Sequence, residues 1–444
     1  MTSNHVFVVG HDPFNKAFLE RLPQAASSVF HPALDIDDIR HVDVWDIQAL
    51  IHKATSRMER FAGPLHAVVS YYDFPATILA AILATRFSIP GPSLEAVLKC
   101  ENKYWSRLIQ KQCVPEHIPQ FKAFDPADPG AFENIGFMPP FWIKPIKSFR
   151  SFLAFEIVDT HQFETVRHVC HDRGDLLSEP FKVLMGMCNP PCEFADMPET
   201  FLAETSIGIG AQCTLEGYVF QGEMVIYGVI DSIREPDRST FARYQYPSSL
   251  PPEIVSRMED IARRVIVQTG LDNAVFNIEF FYDQTTGALW LLEINPRISQ
   301  SHADLFEKVH GISHHSVMLD VALGHPPRAI EQEKGRYRIA ANFMLRSHTP
   351  GRVCRTPHAE DIERLLRFQP DTLLRVNVRE GQHLEELENQ DMYSYELATL
   401  YIGAQSETEL LRKYEQALDL LPFDIRPDRF RLDDREIAVA SPCP

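Results

Sequence analysis

Apolar and polar positions along this chain recur with two periods, and the switches between them mark out its elements. His5-Val-Phe-Val-Val-Gly10 is a continuous apolar run ending in glycine, the pattern of a parallel strand covered on both faces. A helical segment follows over Asn15–Leu22, then a strand over Leu65–Ser70 and a strong helix over Pro75–Arg86 with proline in its first turn. Ile89-Pro-Gly-Pro-Ser93 breaks the chain, so residues 1–93 predict an α/β layer. Leu94–Lys111 reads as one helix with Ser93 as its N-cap, followed by strands at Phe141–Pro145 and Phe152–Val158 and a helix near Gln162–Arg173. Met187–Pro198, rich in proline and cysteine, reads as a surface excursion. A third unit is expected from Phe201, with strands over Ala211–Phe220 and Glu223–Ile230 joined at Gln221-Gly222. Asp231–Glu235 and Phe241–Pro247 read as a polar loop rich in Arg and Tyr, ahead of a helix over Pro252–Thr269. Two helices follow at Ala303–His310 and Ser313–Leu323. From about residue 335, strands at Ile339–Leu345, Leu373–Val378 and Ser394–Ile402 alternate with helices at Ala359–Phe368 and Glu407–Leu421.

The chemistry concentrates in two short apolar strands, Phe276–Asp283 and Ala288–Asn295, which flank the turn Asp283-Gln-Thr-Thr-Gly287 and read as an antiparallel hairpin. Side chains alternate faces along a strand, so Glu279 and the pair Glu293 and Asn295 project to one side. Three oxygen donors on an apolar sheet are costly to bury unless a cation neutralises them, and hard oxygen donors favour Mg²⁺ or Mn²⁺. The plainer alternative is a pair of glutamates solvated on an outer strand face. Arg297 follows a proline, and its planar fork suits a carboxylate or phosphate.

Composition narrows the possibilities. The formal charge is −18, from 43 basic and 61 acidic residues, and no basic stripe runs along the chain, which argues against nucleic-acid binding as a main role. No stretch approaches 18 uninterrupted apolar residues, and the first ten residues lack the basic lead and apolar core of a signal peptide, so a membrane span is not expected. Eight scattered cysteines, with only Cys188 and Cys192 close together, fit free thiols in a reducing cytoplasm. Gly10-His-Asp-Pro-Phe-Asn15 lacks the Gly-x-Gly-x-x-Gly pattern, which disfavours a dinucleotide site. Tyr71 and Asp73, at a strand end, fit either a pocket lining or a helix cap, and the cap is the plainer reading. His314 and His315 have no acidic companion at ligand spacing and stay unassigned.

The run Asn277-Ile-Glu-Phe280 followed by Glu293-Ile-Asn-Pro-Arg297 resembles the metal-binding signature of the ATP-grasp superfamily, in which two acidic residues and an asparagine hold the magnesium ions bridging the phosphates of ATP. The resemblance covers roughly residues 94–325. It implies an α/β and α+β multidomain chain: a Rossmann-like N-terminal domain (1–93), an ATP-grasp small subdomain (94–200), a large subdomain with the metal site (201–330) and a C-terminal α+β domain (331–444). Lys103 and Lys144 match the lysines that reach the α- and β-phosphates, and Glu204 the ribose contact. The phosphate loop departs from the pattern: where glycines are usual, this chain has Ile146-Lys-Ser-Phe-Arg-Ser151. Ser148 and Ser151 offer amide and hydroxyl donors there, and Lys147 or Arg150 adds charge. The loop holding Arg234 and Arg243 corresponds to the border of the acceptor substrate. Arg297 would meet the γ-phosphate or an acyl phosphate, with Ser299 and Ser301 in reach of the latter. His302 stands as a candidate acid or base, although capping or packing is the commoner role for a histidine at a helix start.

What the resemblance implies is a cytoplasmic ligase that uses ATP and Mg²⁺ (or Mn²⁺) to join a small-molecule carboxylate to an amine through an acyl phosphate, with amino acids as the expected class and a homodimer as a familiar assembly. A biotin carboxylase-like activity is the nearest rival within the superfamily. Its motif carries a glutamate four residues after the arginine, where this chain has Ser301, and no Met-Lys-Met carrier site is present. A nucleotide-binding protein without ligase chemistry is the third reading, prompted by the glycine-poor loop.

Overall fold

The computed structural model describes residues 3–40, 45–148, 152–188, 190, 194, 200–208, 210–235, 240–328, 330, 334–387 and 394–427. Its leading layer is a parallel sheet in which Asn4–His11 lies between Ser28–Asp35 and Ala67–Val69. The central strand is buried from Val6 to Val9, as its unbroken apolar run requires. Ser28–Asp35 was not expected as a strand: it is an edge element with a proline at position 32 and an uneven burial pattern, so it lacks a period of two. The amphipathic helix Ile47–Glu59, which buries Ile47, Leu50, Ile51, Ala54 and Met58, also joins this layer.

The single helix expected over Leu94–Lys111 is two helices, Leu94–Glu101 and Lys103–Cys113. Asn102 breaks them: its backbone is extended, and its side chain accepts from Trp105 N at the start of the second helix. The break sets Lys103 in the first helical position, with its amide donating to the carbonyl of Ile146 at 2.9 Å.

An antiparallel four-stranded sheet follows, ordered Phe121–Phe124, Phe201–Thr205, Phe141–Pro145, Phe155–Ile157. Phe201–Thr205 is therefore an inner strand of this smaller sheet, not the opening strand of the next one, and the strand expected over Phe152–Val158 shortens to three residues. Helices Thr160–Arg173 and Asp175–Met185 accompany it, the second unforeseen because Pro180 lies inside it.

The largest element is an eight-stranded sheet. Its order is Leu289–Asn295, Ala274–Tyr282, Ala211–Phe220, Glu223–Arg234, Phe241–Tyr246, Ile339–Ser347, Tyr395–Ala404, Leu373–Val376. Much of what reads as a polar loop is thus strand, with Arg243 and Tyr244 paired on both sides. Aromatic and long polar side chains suit a pleated surface that is half buried, which overrides their hydrophilic appearance. The three strands expected to found a separate C-terminal unit instead extend this sheet. On one face Ile254, Met258, Ile261 and Val265 of helix Pro252–Thr269 pack against Leu215, Phe276, Ile278 and Leu291. On the other, helix Gln300–His310 brings Leu305, Phe306 and Val309 against Ile230, Tyr246 and Ala340. Among the described residues no helix is long and apolar enough to cross a membrane.

Candidate active site

The hairpin Ala274–Tyr282 and Leu289–Asn295 pairs Glu279 directly opposite Glu293, and Asn277 opposite Asn295. All four side chains share one face, since each is two residues from its strand neighbour. Asn295 donates through Nδ2 to Asn277 Oδ1 at 3.1 Å, and Asn277 donates to the carbonyl of Arg297 at 2.9 Å. Those bonds fix the orientation of both amides and leave Asn295 Oδ1 as an acceptor, 3.3 Å from the Arg297 guanidinium. Glu279 accepts from Gln212 at 3.0 Å, and Gln212 in turn accepts from Arg234 at 2.7 Å. Glu293 meets Lys103 Nζ at 2.5 Å.

The two glutamates are electrically unlike. Burial raises the Glu279 pKa and the facing Glu293 raises it further, against the pull of Lys103 and Arg297. Burial also pushes Glu293 upward, but Lys103, with Lys147 and Lys144 behind it, brings it below the usual carboxylate range. Two opposed carboxylates and an amide oxygen, with Lys103 the direct ionic partner of one of them, form a hard-oxygen set short of positive charge. Glu279, Glu293 and Asn295 thus fit a divalent cation of the Mg²⁺ or Mn²⁺ kind.

Lys144 projects from the smaller sheet to Glu204 at 2.6 Å, and Arg107 Nε reaches the other oxygen of the same carboxylate at 2.6 Å. The remaining Arg107 nitrogens donate to the carbonyls of Leu291 and Leu292, both at 2.9 Å, and to Gln110. Burial alone would raise the Glu204 pKa, yet Arg107 and Lys144 hold it down at about 2. The carboxylate expected at the ribose is therefore buried and engaged by two cations. Lys144 is shifted down, because burial and the nearby Arg107 and Lys103 charges outweigh the pull of Glu204.

A second ionic cluster adjoins the first. Arg297 donates to Asp73 at 2.6 Å, Lys147 reaches the other oxygen of Asp73 at 3.0 Å, and Lys147 also pairs with Glu101. Asp73 accepts from Phe74 N as well, but the helix-cap reading misses its main role: it ties the leading layer to Arg297. Tyr71 instead donates to Asp12 at 3.1 Å. Lys147 and Ser148 are buried, while Arg150 and Ser151 lie outside the described residues.

The other expected residues divide. Arg234 is joined to Glu279 through Gln212, with its guanidinium over the Phe241 ring. Arg243 points elsewhere, to Gln245 and to Glu407 on a C-terminal helix. The Ser301 hydroxyl lies 2.8 Å from that of Ser299. His302 sits inside helix Gln300–His310, buried, with Nδ1 2.8 Å from Glu216 and the Tyr244 ring edge against it. Burial and Arg297 push its pKa down to about 3, so the imidazole is neutral at physiological pH.

Sequence reading missed Arg107, Glu101, Gln212 and Asn277 as parts of the site, and assigned Asp73 elsewhere. Two had a visible signal: Asn277 stands two positions before Glu279, on the same strand face, and Arg107 stands one helical turn after Lys103. Gln212 and Asp73 had none, because they arrive from a strand and a turn distant in sequence.

Residues 245–330, which include the hairpin and Arg297, match the family described as the ATP-binding domain of the carbamoyl-phosphate synthase L chain. No curated protein is significantly similar in sequence. Solved structures are similar along nearly the whole chain. An L-amino acid ligase from Bacillus licheniformis superposes with a TM-score of 0.73 at 16% identity, covering 96% of this chain and 100% of that one. A biotin carboxylase from Campylobacter jejuni, solved as a β,γ-ATP complex, gives 0.60 at 14%, covering 95% and 92%. An N5-carboxyaminoimidazole synthase from Aspergillus clavatus, solved with ADP and 5-aminoimidazole ribonucleotide, gives 0.59 at 14%, covering 94% and 98%. At these identities the likeness is one of fold.

Proposed function

The chain has the ATP-grasp fold, and on that premise we propose that it is an ATP-dependent carboxylate-amine ligase. In this reading a carboxylate attacks the γ-phosphorus of ATP, ADP leaves, and an amine captures the acyl phosphate with loss of phosphate to form an amide. The observation that carries the reading is the facing pair Glu279 and Glu293, with Asn295 beside them and Lys103 across. Magnesium held by those three residues would supply charge neutralisation on the phosphate oxygens.

Phosphoryl transfer needs positioning and positive charge more than covalent chemistry from the protein. Lys103 and Lys144 provide that charge from two different elements, a helix start and a strand of the smaller sheet. Arg297, anchored by Asp73, presents a planar fork where an anionic substrate or acyl phosphate would be held. Arg234, acting through Gln212, orients Glu279 and is a positioning residue. His302 is turned to Glu216, and no acid or base role is proposed for it.

Amino acids are the proposed substrate class, supported by the similarity to an L-amino acid ligase. The test is a panel: ATP, Mg²⁺ and amino acids, singly and in pairs, with phosphate release and product mass as readouts. Release that requires both a carboxylate and an amine, with an amide mass to match, is the expected result. Tight ATP binding without amine-dependent turnover would overturn it, as would turnover that requires bicarbonate and biotin.

A further inference from the structure

Three buried side chains apart from the hairpin triad meet beside the large sheet. Glu216 comes from strand Ala211–Phe220, His302 from helix Gln300–His310 and His314 from the first turn of helix His314–Ala322. All three are buried, Glu216 and His314 completely. Glu216 Oε1 lies 2.8 Å from His302 Nδ1 and 3.7 Å from His314 Nε2, and one donor atom from each residue falls within 4.8 Å of the other two.

Hydrogen bonding accounts for one contact of the group, Glu216 Oε1 with His302 Nδ1, and leaves His314 unexplained. The 3.7 Å separation is too long for a bond, and Glu216 Oε2, His302 Nε2 and His314 Nε2 are buried polar atoms with no hydrogen-bond partner among the described residues. Of these, His314 Nε2 is the orphaned atom that faces Glu216 Oε1, and it is the one that calls for an occupant. The separations suit one. Tetrahedral zinc with ligands at about 2.0–2.1 Å sets its donors roughly 3.4 Å apart, and 2.8 and 3.7 Å bracket that value.

We propose that Glu216, His302 and His314 form a transition-metal site of the zinc type, distinct from the oxygen-donor site of the hairpin. Two imidazoles and one carboxylate are a borderline-soft set that favours Zn²⁺ over Mg²⁺. The supporting shell is present on one ligand: the Tyr227 hydroxyl lies 2.9 Å from His314 Nδ1, the nitrogen opposite the proposed ligand atom, which fixes the ring as outer partners of metal-bound histidines do. The ion would balance the buried carboxylate and pin the sheet to both helices that cover it. It lies one strand from the hairpin, since Glu216 pairs with Asn277.

The experiment is Co²⁺ and Zn²⁺ binding to the full chain after chelator treatment. Expected is one Co²⁺ per chain with the intense visible absorption of a four-coordinate ion, displaced by Zn²⁺, and a melting temperature raised by a few degrees. The signal should survive Glu293→Gln, which disables only the hairpin, and disappear in the double variant His302→Asn with His314→Asn. Glu216→Gln keeps the shape and hydrogen-bonding capacity of the side chain, so it should fold, and its Zn²⁺ affinity should fall at least tenfold. Absence of the signal in wild type, its loss in Glu293→Gln, or unchanged Zn²⁺ affinity in Glu216→Gln would each overturn the proposal. None of these readouts depends on ligase turnover, so they stand or fall apart from the proposed function.

Discussion

The hairpin edge of the large sheet and the neighbouring small sheet each bury glutamate against lysine, yet their charges are balanced differently. At the hairpin, Glu279 and Glu293 face one another and the direct ionic partner is Lys103, on Glu293. On the small sheet the single Glu204 is gripped by Arg107 and Lys144 together. Acid outnumbers base in the first group, and base outnumbers acid in the second. On the proposed reading the first would accept further cations, while in the second Arg107 acts as a strut and Lys144 remains a cation proposed for the phosphates. A buried ion pair is poor evidence for function until its neighbours are counted.

The contrast can be broken most sharply at Glu293. Glu293→Gln should cut amine-dependent phosphate release about a thousandfold, in line with several kcal/mol of lost charge stabilisation, while the melting temperature stays near wild type. A large fall in melting temperature would show that the hairpin is also a strut. Arg107→Met should do the reverse, costing about 3–5 kcal/mol in urea unfolding, because it leaves the buried Glu204 with Lys144 alone and strands two backbone carbonyls.

Acid titration sharpens the same comparison. Glu204 has a folded pKa of about 2 against an ordinary value of 4.5, so its ionised form is favoured by folding. Its contribution is fully present above the unfolded pKa and is lost as pH falls from about 4.5 through about 2. Unfolding free energies of wild type and Glu204→Gln, measured from pH 6 downward, should therefore converge over that interval. A constant difference would remove Glu204 as the cause. The smallest effect is expected at Asp73→Asn, which loosens Arg297 without touching the hairpin: KM for the carboxylate substrate should rise by about tenfold and KM for ATP should hold.

How much of this was legible follows from distance along the chain. The nearness of Glu279, Glu293 and Asn295 could be read because a two-residue period and one turn place them side by side, and register then pairs Glu279 with Glu293. Lys103 was legible as a residue but not as a helix start, since Asn102 interrupts an apolar period that otherwise continues. Asp73 was misread because its partners, Lys147 and Arg297, come from elements whose closeness no local pattern reports. His314 looked isolated for the same reason: its acidic companion, Glu216, arrives from across the sheet. The polar loop was the clearest failure. Arg and Tyr suggested exposure, whereas pairing with Ile339–Ser347 makes Phe241–Tyr246 an inner strand.

That last pairing governs where the chain can be cut. Phe241–Tyr246 has its second neighbour only because Ile339–Ser347 lies beside it, with Tyr395–Ala404 beyond. Ending the protein near residue 335 would leave an unpaired row of amides and carbonyls along a twisted sheet, an adhesive margin for any other copy. Such a fragment, though it keeps Lys103, Lys144, Glu279, Glu293, Asn295 and Arg297, should self-associate.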